Sequence, residues 1–107
     1  MELRAQGKFD EAEPLFREAL AVTRATLGER HPHTLASINN LGLLMKHKGD
    51  LAAAEPLYRE ALEGQRKTLG DQHPATLNTI RNLGALLQAK GDLGAARRML
   101  REASGCG

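Results

Sequence analysis

Between His31 and Leu69 the apolar residues fall three and four apart, twice over. Leu35, Ile38, Leu41, Leu44 and Met45 form one stripe, and Leu51, Ala54, Leu57, Tyr58, Ala61 and Leu62 form another. Each spacing predicts an amphipathic helix with one face turned to a core. Gly49-Asp50 stands between them. Glycine takes the left-handed conformation that ends a helix, and aspartate caps the start of the next. Lys46 and Lys48 add positive charge to the last turn of the first helix, where the backbone dipole favours it. So short a connection predicts an antiparallel helical hairpin.

The hairpin is one copy of a repeat. Residues 7–48 and 49–90 align without a gap, with 23 of the 42 positions identical. A period of this length outranks other local signals. E-P-L-F-R-E-A-L at residues 13–20 returns as E-P-L-Y-R-E-A-L at 55–62. Leu27-Gly28 returns as Leu69-Gly70, His31-Pro32 as His73-Pro74, and Asn40-Leu41-Gly42 as Asn82-Leu83-Gly84. A third copy begins at Gly91-Asp92-Leu93 and runs to about Ser104.

In chain order, residues 1–6 align with 43–48 and are expected to form the tail of a first-type helix whose beginning is absent. Residues 9–27 form a second-type helix, with Pro14 expected early in it, where a missing N–H costs least. Gly28 ends that helix, and Pro32 opens the next. Gly64 is expected to be a weak point inside the second helix of the central hairpin, by about 1 kcal/mol against alanine. Pro74 opens a helix over 75–89, and a shortened last helix follows over 93–103. The array divides into a partial repeat over 1–27 and repeats over 32–69 and 74–104, with 105–107 as a flexible tail.

No strand signal interrupts this pattern. The expected fold class is all-α: an α-solenoid of stacked antiparallel helix hairpins, because a single hairpin leaves too much apolar surface uncovered. With Phe9, Phe16 and Tyr58 the only aromatics among 107 residues, the core is built from Leu, Ala, Ile and Met. Gly42 and Gly84 fall inside helices, where close approach between the two helices of a hairpin would offset their cost. A net charge of +2, with 26% of residues charged, gives a mixed surface and no nucleic-acid or membrane partner. No apolar run approaches the roughly 18 residues of a membrane span. The single Cys106 and the charged opening residues suit a reducing, cytoplasmic setting.

The pattern L-G-x-L in the first helix and A-x-x-x-[FY]-x-x-A in the second resembles the tetratricopeptide repeat. Leu41-Gly42, Ala54, Tyr58 and Ala61 carry it, with Ala12, Phe16 and Ala19 in the earlier copy. The 42-residue length and the L-G-x-x-H-P-x-T-L stretch before N-L-G resemble the kinesin light chain and nephrocystin-3-like subclass. The last copy departs from the pattern, with Arg97-Arg98 in place of Glu55-Pro56 and Leu100 in place of the aromatic.

Catalytic readings find little support. His31 and His73 are equivalent positions a repeat apart, too far to share one ion, and read as loop residues fixed before proline. His33 has no counterpart, and His47 complements a helix end. Cys106 has no base placed near it by sequence. Glu13→Arg17 and Glu55→Arg59 are surface pairs at i,i+4. No glycine loop cradles a phosphate, no cofactor or metal is implied, and no enzyme is expected.

The resemblance implies a different site. First helices of such arrays line a concave face that holds ligand peptides, which places Asn39, Asn40, Leu43, Lys46 and His47 in a groove, followed by Asn78, Arg81, Asn82, Ala85 and Gln88. Asparagine offers both a donor and an acceptor to an extended backbone, and Arg81 and Lys46 favour a carboxylate. The expected function is a protein–protein interaction module or scaffold binding a partner peptide or helix. The alternative is a purely structural or self-associating segment of a longer array, forming a homo-oligomer through its exposed end hairpins. In that case Asn40 and Asn82 bond across neighbouring helices and fix packing.

Overall fold

The computed structural model describes the backbone of residues 2–103 and the side chains of residues 8–101. The tail, including Cys106, lies outside the described residues. Five helices follow one another: α1 (Glu2–Leu27), α2 (Pro32–Lys48), α3 (Leu51–Thr68), α4 (Pro74–Lys90) and α5 (Leu93–Ala103). Each packs on the next in sequence, and α2 also touches α4. The result measures 40 × 35 × 18 Å. Its thinnest dimension is about two helix layers, since packed helix axes lie roughly 8–10 Å apart. The fold is an all-α helical-repeat solenoid, and among the described residues there is no strand.

The turns between α2 and α3 and between α4 and α5 form as their residues dictate. Gly49 has φ 90° and Gly91 φ 91°. The Gly49 N–H donates to the Lys46 carbonyl and the Asp50 N–H to the Met45 carbonyl, each at 2.9 Å. These bonds close the last turn of α2. The Asp50 carboxylate then accepts from the Ala53 N–H at 3.1 Å, and Asp92 does the same for Ala95 at 3.2 Å. One Gly-Asp pair thus stops one helix and starts another.

The first copy departs from the expected break. Helix α1 runs unbroken through Gly7 and Lys8, so residues 2–6 are not the tail of a separate helix. The reason is local: Lys8 stands where Asp50 and Asp92 cap their helices, and an ammonium cannot accept the orphan backbone N–H groups. Pro14 therefore lies well inside α1 rather than early in a helix.

The core is a continuous file of Leu35, Ile38, Leu41, Tyr58, Ala61, Ile80, Leu83 and Leu86, none more than 1% exposed. The mid-helix glycines admit the second helix of each hairpin. A Cβ on Gly42 would stand 2.9 Å from two ring carbons of Tyr58, and one on Gly84 would stand 3.0 Å from Leu100 Cδ2. The close approach is thus side chain against backbone. Leu100 does for α4 what Tyr58 does for α2, despite the change of residue. Gly64 is no weak point in an exposed helix. It is buried, and a Cβ there would meet Leu35 Cδ2 at 2.5 Å.

Candidate functional site

The outward faces of α2 and α4 carry the residues with potential chemistry. Asn40, Leu43 and His47 on α2, and Asn78, Arg81 and Gln88 on α4, are exposed; Asn39, Lys46, Asn82 and Ala85 are half-buried. None of the ten belongs to the buried core, which takes the opposite sides of both helices. The two faces are stitched together by one bond, in which the Asn82 Nδ2–H donates to Asn39 Oδ1 at 3.3 Å. The bond joins the two faces at that point. The ten residues, termed the α2–α4 strip below, include Lys46 and Arg81 and no carboxylate.

Individual residues are placed differently within the strip. Asn82 spends a donor on Asn39 and holds α4 beside α2. Asn40, its equivalent one repeat earlier, borders a depression of about 150 Å³ with Phe16, Ala19 and Ser37. The His47 ring stacks on Phe9 of α1, with centroids 5.6 Å apart and planes at 16°. Asn78 and Arg81 make no hydrogen bond or ion pair among the described residues, and both face solvent.

Two features escaped sequence reasoning. The first concerns His31 and His73, which are helix caps rather than plain loop residues. The His31 Nδ1 accepts from the His33 N–H at 3.1 Å, and His73 Nδ1 from the Ala75 N–H at 3.0 Å. An imidazole nitrogen takes the place of the usual serine or aspartate oxygen ahead of a proline at the first helical position. His33 also stacks on His31, with centroids 5.2 Å apart. The second is a ladder of ion pairs between layers. Lys48 at the end of α2 reaches Glu13 and Asp10 of α1, and Lys90 at the end of α4 reaches Glu55 of α3. Glu13 and Glu55 also hold Arg17 and Arg59 on their own helices. The hydrogen bond from Lys48, then that from Arg17, holds the Glu13 carboxyl below its usual range; Lys90 and then Arg59 do the same for Glu55. The clue was present: each lysine follows its glutamate by 35 residues.

Among the described residues no group of three or more histidine, cysteine or acidic side chains could hold a metal ion. No helix among them is long and apolar enough to cross a membrane.

Comparison with known proteins agrees with this architecture. The tetratricopeptide repeat model matches residues 3–67 and 36–105. The chain belongs to the tetratricopeptide repeat family. Within it the chain is kinesin light chain-like, as two solved structures illustrate. BtubC (BKLC) from P. vanneervenii superposes with a TM-score of 0.84 at 28% identity, covering 91% of this chain and 38% of that one. A Podosopora anserina protein of nearly identical TPR-like repeats, named for kinesin light chain, gives 0.85 at 28% identity, covering 95% and 53%. The chain thus spans about two fifths to one half of those structures. No curated protein matches it. Repeats of this family are in general protein–protein interaction modules and non-enzymatic scaffolds.

Proposed function

We propose that the strip across α2 and α4 is the surface with which this module binds a partner, and that the partner presents an extended segment with acidic or C-terminal carboxylate groups. The observation that carries this reading is the juxtaposition of unpaired polar groups on a face free of carboxylates. Asn78 and Arg81 are exposed without intramolecular partners, while Asn82 is tied to Asn39. Two free amide functions remain on that pair, the Asn82 oxygen and the Asn39 nitrogen, and each can pair with a peptide backbone. Arg81 supplies a charge-assisted bond to a carboxylate. On the family's arrangement these first-type helices line the concave side, which suits a strand lying across both. The strip has no aromatic platform for nucleobases. The reading implies a scaffold without catalysis of its own, working in the cytoplasm.

The alternative, a structural segment of a longer array, draws support from the Asn82–Asn39 bond, which fixes helix packing. Capture of acidic and neutral peptides from one library separates the two. Arg81→Ala should weaken acidic peptides at least tenfold with helicity unchanged, raised salt should mimic it, and Arg81→Glu should reverse the charge preference. Capture that ignores Arg81 and Asn78 substitutions would leave the structural reading as the better one.

A further inference from the structure

Two cations of the α2–α4 strip are free for a ligand. The side chains of Lys46 on α2 and Arg81 on α4 make no hydrogen bond or ion pair among the described residues. Lys48 and Lys90, at the ends of the same two helices, are instead held by carboxylates of the preceding helix. Neither free cation has a charged counterpart in the other copy. Gln88 stands at the place of Lys46, and Asn39 at that of Arg81. The strip therefore presents one positive point on each helix and not a diffuse basic surface.

Helix packing sets the distance between these points. The Asn82–Asn39 bond fixes the two helices in register. Two reversals of the chain, from α2 to α3 and from α3 to α4, point α4 the same way as α2. Lys46 lies seven residues beyond Asn39, and Arg81 one residue before Asn82. The two are therefore about 12 Å apart along the helix axis, at roughly 1.5 Å per residue. The axes themselves lie roughly 8–10 Å apart, which puts the two stems about 15 Å from each other on the diagonal of the strip.

We propose that the extended segment bound on this strip carries two carboxylates at positions i and i+4, one for Lys46 and one for Arg81. The inference rests on the proposed function and narrows its partner from acidic segments in general to one spacing. An extended chain advances roughly 3.3–3.6 Å per residue, so four residues cover about 14 Å, two only about 7 Å and six about 20 Å. Successive side chains point to opposite faces of a strand, so acids three or five apart cannot both turn to the strip. The residue at i+2 shares the face of the acids and passes over Leu43 and Ala85, one turn beyond Asn39 and Asn82. Leu43 is 38% exposed, and neither side chain can pair with a charge, so i+2 is uncharged. Two contacts joined in one ligand reinforce each other only when the span matches. Lys46 thereby sets specificity for spacing, a role that Arg81 alone cannot supply.

The test is fluorescence anisotropy on the whole protein with acetylated, amidated peptides, neutral except for two aspartates spaced one to seven residues apart. The i,i+4 peptide should bind at least tenfold more tightly than the i,i+3 and i,i+5 peptides or a peptide with one aspartate. A third aspartate at i+2 should not tighten it. Lys46→Gln and Arg81→Gln should each bring the i,i+4 peptide down to the level of the single aspartate and flatten the series, with the circular dichroism spectrum unchanged. Lys46→Glu should prefer the i,i+4 peptide in which one aspartate is replaced by lysine. An optimum at any other spacing, or a spacing preference that survives Lys46→Gln, would overturn the proposal. A preference for acidic peptides that follows Arg81 but ignores spacing and Lys46 would overturn it and leave the proposed function standing. Absence of any acidic preference would overturn both.

Discussion

Alanine at Gly42 sets two opposed effects of similar size against each other. In an exposed helix the change would stabilise by roughly 0.5–1 kcal/mol, since glycine loses more backbone entropy on folding. Here the new Cβ would stand 2.9 Å from Tyr58 Cδ1 and Cε1, and 3.4 Å from Leu57 Cβ. Carbon atoms prefer about 3.5–4.0 Å. The ring cannot swing away, because Tyr58 is fully buried, as are Ala54 and Ala61 one turn to either side. Overpacking of a filled core costs about 1–3 kcal/mol. The net expectation is a loss of about 1 kcal/mol for Gly42→Ala and more for Gly42→Leu. At the equivalent Gly84 the obstacle is the end of Leu100, a flexible side chain that is 38% exposed and can yield. Gly84→Ala should therefore be neutral or stabilising, opposite in outcome to the same substitution one repeat earlier. Urea melts followed by circular dichroism measure both. Adding Tyr58→Leu to Gly42→Ala should recover part of the loss, as a positive coupling in a double-mutant cycle. Stabilisation by Gly42→Ala, or equal effects at the two glycines, would refute the account.

The Tyr58 hydroxyl is buried without a hydrogen bond among the described residues, so Tyr58→Phe should be neutral or stabilising by up to about 1 kcal/mol in urea melts. Burial also pushes the Tyr58 phenol up to about 12 from 10. Its contribution is complete below pH 10 and is lost as pH rises from about 10 to 12, by roughly 3 kcal/mol in the limit; the stability difference between wild type and Tyr58→Phe across that window checks it. Glu13 and Glu55 are shifted the other way, so their pairing contributes above the ordinary carboxylate value of 4.5 and is lost as pH falls through their lower folded values. Acid titration of stability should flatten in the Glu13→Gln, Glu55→Gln double variant. His73→Ala should cost about 1 kcal/mol by removing the α4 cap, and His73→Asn should restore most of it, both read by thermal melting.

The parts legible in the sequence were those decided within a few neighbouring residues. The stripes, the Gly-Asp turns and the prolines at the starts of α2 and α4 follow from spacing and backbone preference alone. The continuity of α1 was legible too, had Lys8 been weighed against Asp50 as a cap. Gly64 was misread because its environment is Leu35, 29 residues away on another helix, and composition says nothing of that contact. The histidine caps were missed because imidazole is an uncommon acceptor there, though its repetition before proline was visible. For the candidate strip, sequence supplied the residues and the repeat supplied their equivalence. That Asn82 would meet Asn39 and not Asn40 depends on how α4 lies beside α2, which needs the packed structure.

Among the described residues, each helix leans only on its immediate neighbours, apart from the slight touch of α2 on α4. No contact ties the first helix to the last, so pulling on the two ends loads the hairpins in series. A 42-residue unit that gives way would release about 140 Å of chain at roughly 3.4 Å per residue. Because the core is one continuous file and a single hairpin cannot cover its own apolar face, the first unit to open bares its neighbour and weakens it. Under tension the array should therefore give way from one end and run quickly to the other.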